Sequence, residues 1–232
     1  MNRYAALLLA ATIMARPISA QVGHAPDSSP YRDIIHPNGL LFTYGHIAGD
    51  GGSLGVGPHN GDSWGLRYDV RLSGLLGAHL GFSHFSGVRD AYYPDDSVAK
   101  RRTGPYSQSV TFIGVGMQAN LTGPKTWHRL APFVDAELGA AVGSKVAADT
   151  ASLYDFGTKL YLDPGVGVQW FVTSRLRIRF DARRVYWKLK YPVSFFAAPT
   201  AQPTASPIIP AGGSATEWSG NGWLSLGIHY SL

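Results

Sequence analysis

His84 and Ser86 are the residues best placed for covalent chemistry. Two apart on an extended chain, they share one face, which an imidazole needs if it is to activate a hydroxyl. No third group identifiable in the sequence would orient His84, and Gly87 follows the pair. The expected reading is a polar interfacial pair, and the chain is not expected to be an enzyme. Asp95-Asp96 reads as a solvated loop tip. Asp50 and Asp62 flank a glycine-rich stretch whose spacing matches no ordered calcium loop. His24, His36, His46 and His59 are scattered, and cysteine is absent. Without thiolates or spaced imidazoles, no metal or cofactor is expected.

The richer signal is ionic. Arg67, Asp69 and Arg71 alternate with Trp64, Leu66, Tyr68 and Val70. Arg177, Arg179, Asp181 and Arg183 alternate in the same way with Leu176, Ile178, Phe180 and Ala182. Asp135, Glu137, Lys159 and Asp163 fall on the polar face of two further stretches. Period-two alternation means strands with one apolar and one polar face. A polar face that mixes both signs with glycine fits an enclosed network, in which each charge must find a partner. Arg67, Asp69, Arg71, Asp135, Glu137, Lys159, Asp163, Arg177, Arg179, Asp181 and Arg183 are therefore candidates for a charge network filling a lumen. Arg184 has the opposite parity and lies with Phe180 and Ala182. With Lys188 and Lys190 it is a candidate contact for lipopolysaccharide phosphates, the guanidinium snorkelling to the interface.

The elements that position these residues are eight predicted strands: 39–48, 63–72, 75–85, 106–121, 131–143, 158–172, 175–189 and 217–232. Pro164 should interrupt the sixth with a bulge. The strands approach or exceed the roughly ten residues that cross a bilayer at a tilt. Short connections alternate with long ones at 49–62, 86–105, 144–157 and 190–216, the arrangement of membrane barrels. The last of these loops is Pro- and Ala-rich and expected to be mobile; its Phe195, Phe196, Ile208 and Ile209 could gather apolar solutes. Trp64, Tyr106 and Trp218 on one side, and Trp127, Trp170, Phe171 and Tyr230 on the other, are expected to form interfacial girdles. Many glycines fall inside strands, as a packed interior requires.

Met1 to Ala20 reads as an export signal: Arg3, an apolar run, then Ile18-Ser19-Ala20 before a cleavage site. Residues 21–38 form a polar, Pro-rich periplasmic leader with no core of its own, and residues 39–232 the barrel. Loss of Arg3 and Arg16 lowers the net charge from +5 to +3. No basic stripe is concentrated on one segment, so no nucleic-acid partner is expected.

GDSWGLRYDVRL, GVGVQWFVTSRLRIRFDARRVYW and the terminal GWLSLGIHYSL resemble the eight-stranded outer-membrane β-barrels of the OmpA, OmpX and OmpW kind. The resemblance implies an all-β, eight-stranded antiparallel up-and-down transmembrane barrel, integral to the bacterial outer membrane. It also implies contact with outer-membrane lipids and insertion by the barrel-assembly machinery, which reads a last strand of this type. Leu232 departs from the commoner terminal aromatic. A monomer is expected, with a structural or surface-interaction role and a charge-plugged interior. The alternatives are a narrow solute channel and a lipid A-modifying enzyme, since His84-Phe85-Ser86 is similar to the His-x-Ser pair of lipid A deacylases.

Overall fold

A computed structural model describes residues 29–35 and 38–232. The export segment, most of the leader, and His24 and His36 lie outside the described residues.

Ten strands follow in order: β1 Tyr31–Asp33, β2 Gly39–Ala48, β3 His59–Arg71, β4 Leu76–Tyr92, β5 Arg102–Asn120, β6 Lys125–Trp127, β7 Leu130–Gly143, β8 Thr158–Phe171, β9 Leu176–Lys190 and β10 Thr216–Ser231. β1 and β6 form a short ribbon beside the turn from β5 to β7. The other eight form one antiparallel sheet that closes on itself, because β10 pairs with β2 and β7 pairs with both β5 and β8.

The register runs from Ser219 through Trp187, Tyr161, Gly139, Gly114, Gly81, Arg67 and Leu41 to His229. One circuit therefore advances ten residues along β10, and that stagger tilts the strands steeply to the axis. Pro164 leaves a gap and no bulge. The β8–β9 ladder passes from Leu162↔Tyr186 to Gly165↔Arg183 without a change of register, because proline has no N–H to donate.

The apolar face points outward all the way round. Leu40, Phe42, Leu66, Leu80, Val115, Leu138, Leu162, Phe180, Leu226 and Ile228 are all exposed. A folded barrel in water would hide such residues, so the belt calls for an apolar surrounding. Trp64, Trp127, Trp170, Trp218 and Tyr230 stand on this outer face. Tyr106 and Phe171 do not: the Tyr106 hydroxyl meets Tyr93 and Thr103, each at 3.2 Å, and the Phe171 ring lies 5.0 Å from the Arg177 guanidinium.

The expected display loop at 86–105 is mostly strand, because β4 and β5 continue to Tyr92 and from Arg102. The 190–216 connection is folded into a cap. Its Phe195 and Ile209 are buried with Val56, Tyr92, Tyr154 and Tyr191, and Phe196 and Ile208 pack against that cluster. Apolar residues expected to gather solutes thus form a small core over the loop end. Arg89, fully buried, pairs there with Asp149 on the short helix α1, Asp149–Ser152. At the turn end the leader gains a structural role: Tyr31–Asp33 form β1, Ile34 is buried, and its N–H donates to the Pro124 carbonyl at 3.0 Å.

Candidate functional site

The inward-facing side chains form two stacked layers. Towards the turn end, ions are arranged in a chain. His229 Nε2 lies 3.2 Å from Asp69, whose other oxygen is 2.8 Å from Arg67 Nε. Arg67 reaches Asp135 at 3.4 Å. Asp135 accepts from Arg179 at 2.8 Å, and Arg179 also donates to Asp181 at 2.6 Å. Gln118 accepts from Arg67 and Arg179, which satisfies donors the carboxylates leave over. Arg177 donates to Gln169 at 3.0 Å and Ser231 at 2.7 Å. Arg183 and Asp163 form a separate pair at 2.7 Å. Glu137 lies 3.1 Å from His79 Nε2 and accepts from the Tyr161 hydroxyl.

Burial explains the density of pairing. Enclosed by a sheet whose backbone groups are already bonded to one another, each ion can be stabilised only by another side chain. The void left among Arg67, Glu137, Asp181 and Arg183 is about 20 Å³, room for about one water.

Towards the loop end the interior is aromatic. Phe112, Tyr161, Trp187, Trp223, Phe85 and Phe156 are almost wholly buried, with Ile47, Val110, Val185 and Leu189 among them. Phe112 lies 5.1 Å from Tyr161, 5.6 Å from Trp223 and 6.1 Å from Trp187, and so fills the centre. Arg183 joins the layers, since its guanidinium stacks 3.9 Å from the Trp223 ring while it holds Asp163. Arg179 stacks in the same way on Phe133 at 3.7 Å.

Small residues make this filling possible. A Cβ on Gly114 would collide with the Tyr161 hydroxyl and Glu137, and one on Gly116 with the His79 ring.

Two of the predicted lumen charges stand outside the ionic layer. Arg71 sits at the turn end and donates to the carbonyls of Ser73, Gly74 and Ile34 at 2.9, 3.1 and 3.2 Å, the leader lying across its path. Lys159 faces inward near the loop end of β8, above the ions, with its ammonium 5.8 Å from the centre of the Phe156 ring.

The candidate chemical residues are dispersed. His84 faces outward, 6.0 Å from the Trp64 ring, and its hydrogen bond runs to Thr111 at 3.4 Å; Ser86 stands exposed on the same strand. The Asp95 carboxylate accepts from Thr200 at 2.6 Å, Asp50 from the Gly52 N–H at 3.0 Å, and Asp62 lies 2.9 Å from His46. These acids are tied into loop and strand contacts, and no cluster of three or more metal-ligating side chains occurs among the described residues.

Among solved structures, Neisserial surface protein A matches with a TM-score of 0.50 and 14% identity, over 88% of this chain and 98% of its own. The outer membrane protein OprG from Pseudomonas aeruginosa matches with a TM-score of 0.50 and 9% identity, over 85% of this chain and 97% of its own. The chain has the fold of the eight-stranded outer-membrane β-barrels. No family model and no curated protein matches by sequence.

Within this barrel, sequence reasoning missed His79, His229, Gln118, Gln169 and Tyr161 as partners in the interior. Parity puts each on the inward face. Neutral side chains carry no charge pattern, however, and only the cross-strand register brings His79, two strands away on β4, and Tyr161, on the adjacent β8, to Glu137 from either side.

Proposed function

We propose that this protein is an integral outer-membrane barrel that is closed to solutes and presents a folded cap of loops to the cell exterior. One observation carries the reading: two unlike layers fill the lumen in series. An ion crossing the aromatic layer would shed its hydration among packed rings, with only a few neutral polar groups such as Ser63, Ser219 and Asn221 to replace it. A neutral solute would have to part the paired ions of the second layer. The outward apolar belt supports residence in a bilayer, and the cap, with its own core, supports a surface-interaction role. Val193 on the cap is 87% exposed and offers apolar surface to a partner. His84 meets Thr111 and not Ser86, so the pair adds no support for lipid hydrolysis.

Planar-bilayer recording tests the closed state. Refolded protein should insert and give no steady current under an applied voltage. A stable single-channel conductance would overturn the reading.

A further inference from the structure

The arginines and lysines outside the lumen are treated differently from those inside it. On β9 the outward side chains run Phe180, Ala182, Arg184, Tyr186, Lys188, Lys190. Arg184, Lys188 and Lys190 are exposed, and none joins an ion pair formed among the described residues. The next residue inward, Arg183, is held by Asp163 at 2.7 Å. A protein that pairs enclosed cations such as Arg67, Arg179 and Arg183 with carboxylates has left three outward ones without a carboxylate partner among the described residues.

The surface around Arg184 is built low. Its register partner on β10 is Gly222, and Gly220 follows opposite Tyr186. A Cβ on Gly220 would press on the Tyr186 ring at 2.7 Å and on Arg184 Nε at 3.2 Å. On the other flank, Pro164 interrupts the β8 ladder. Arg184 therefore lies in a shallow trough, its guanidinium 5.6 Å from the centre of the Tyr186 ring. Leu224 bounds the trough towards the turn end. Trp218, 62% exposed and opposite Lys188, bounds it towards the loop end. The cations begin where the outward apolar run Phe180–Ala182 stops.

We propose that Arg184, Lys188 and Lys190 hold the phosphate groups of a lipid A molecule, with one acyl chain lying over the open Gly222 beside Leu224. Charge complementarity selects a phosphorylated lipid. A planar guanidinium can engage two phosphate oxygens at once, and the ammonium groups act as point charges above it. Position selects the leaflet: the site is at the loop end, where lipid A lies, and not at the turn end, where phospholipid headgroups lie. The inference rests on the outer-membrane reading above and adds the lipid partner and its contacts.

Native mass spectrometry on the full barrel in detergent micelles tests it. The probes are bis-phosphorylated lipid A, its dephosphorylated form, and phosphatidylglycerol. Wild type should retain one bis-phosphorylated lipid A. The R184Q/K188Q/K190Q variant should lose affinity by about ten-fold or more, since it removes all three charge-assisted contacts. R184K should fall between, keeping the charge and losing the fork. Equal retention by wild type and the triple variant would overturn the site. So would equal retention of the dephosphorylated lipid, or of phosphatidylglycerol. If the triple variant fails to fold, judged by heat-dependent electrophoretic mobility, R184Q and K188Q singly give the same comparison. A wild type that inserts into liposomes but shows no lipid A preference defeats this site alone. One that does not insert defeats the outer-membrane reading.

Discussion

At the scale of single residues, the interior separates groups that stabilise by pairing from groups that stabilise by filling. Arg179 is the hub of the ionic layer, since it contacts Asp135, Asp181, Gln118 and the Phe133 ring. Arg179→Ala would strand two buried carboxylates. It should cost about 3–5 kcal/mol in urea unfolding followed by tryptophan fluorescence. A loss below about 1 kcal/mol would mean that water, and not Arg179, satisfies those acids. Phe112→Ala should cost a similar 3–5 kcal/mol by removing the centre of the aromatic layer. It should not open a conducting path, because the ionic layer remains.

At the scale of elements, strand faces and the loop cap carry separate predictions. Gly114→Val puts a branched side chain where the Tyr161 hydroxyl and Glu137 meet. Overpacking of this kind costs about 1–3 kcal/mol, and the variant should show a lower unfolding midpoint in the same urea titration. Val115→Ala, one residue away on the outward face of the wall, should cost clearly less. The cap depends on Glu217, at the loop end of β10 and well beyond the apolar run that starts at Leu224. Burial opposes its ionisation. Hydrogen bonds from Tyr191 and Ser53 outweigh that and hold its carboxyl below the ordinary glutamate value. Burial, then Glu217, pushes the Tyr191 hydroxyl up to about 12. A lowered carboxyl contributes stability above the ordinary value of 4.5, and that contribution is lost as pH falls below it. A raised phenol contributes below 10.0, and its contribution is lost as pH climbs towards about 12. The urea midpoint should therefore fall between pH 5 and 3 by more in wild type than in Glu217→Gln. Parallel falls would remove Glu217 from the account.

At the scale of the whole molecule, closure of the sheet sets what each face can meet. Eight strands with a ten-residue stagger leave an interior about as wide as the side chains that fill it. Solute passage would need a layer to move, so the reading of the molecule as a display scaffold stands or falls with the conductance test. A barrel of this kind has no free long edge along its wall, which limits strand-to-strand association between copies.

The alternation of Trp64 to Leu72 and of Leu176 to Arg183 determined those two strands and the polar character of the enclosed face, because side-chain parity is a local property of an extended backbone. Arg67, Asp69, Asp135, Arg179 and Asp181 were legible as one network for the same reason. The aromatic layer was not legible. Phe112, Tyr161, Trp187 and Trp223 come from four strands and stood in the sequence as unrelated exceptions to the polar face. Nor was the fate of the 190–216 segment legible, since its apolar residues needed Val56, Tyr92 and Tyr154 from three other regions before they could be buried. Which inward residues meet across the lumen depends on register and stagger, and those exist only once the last strand has paired with the first.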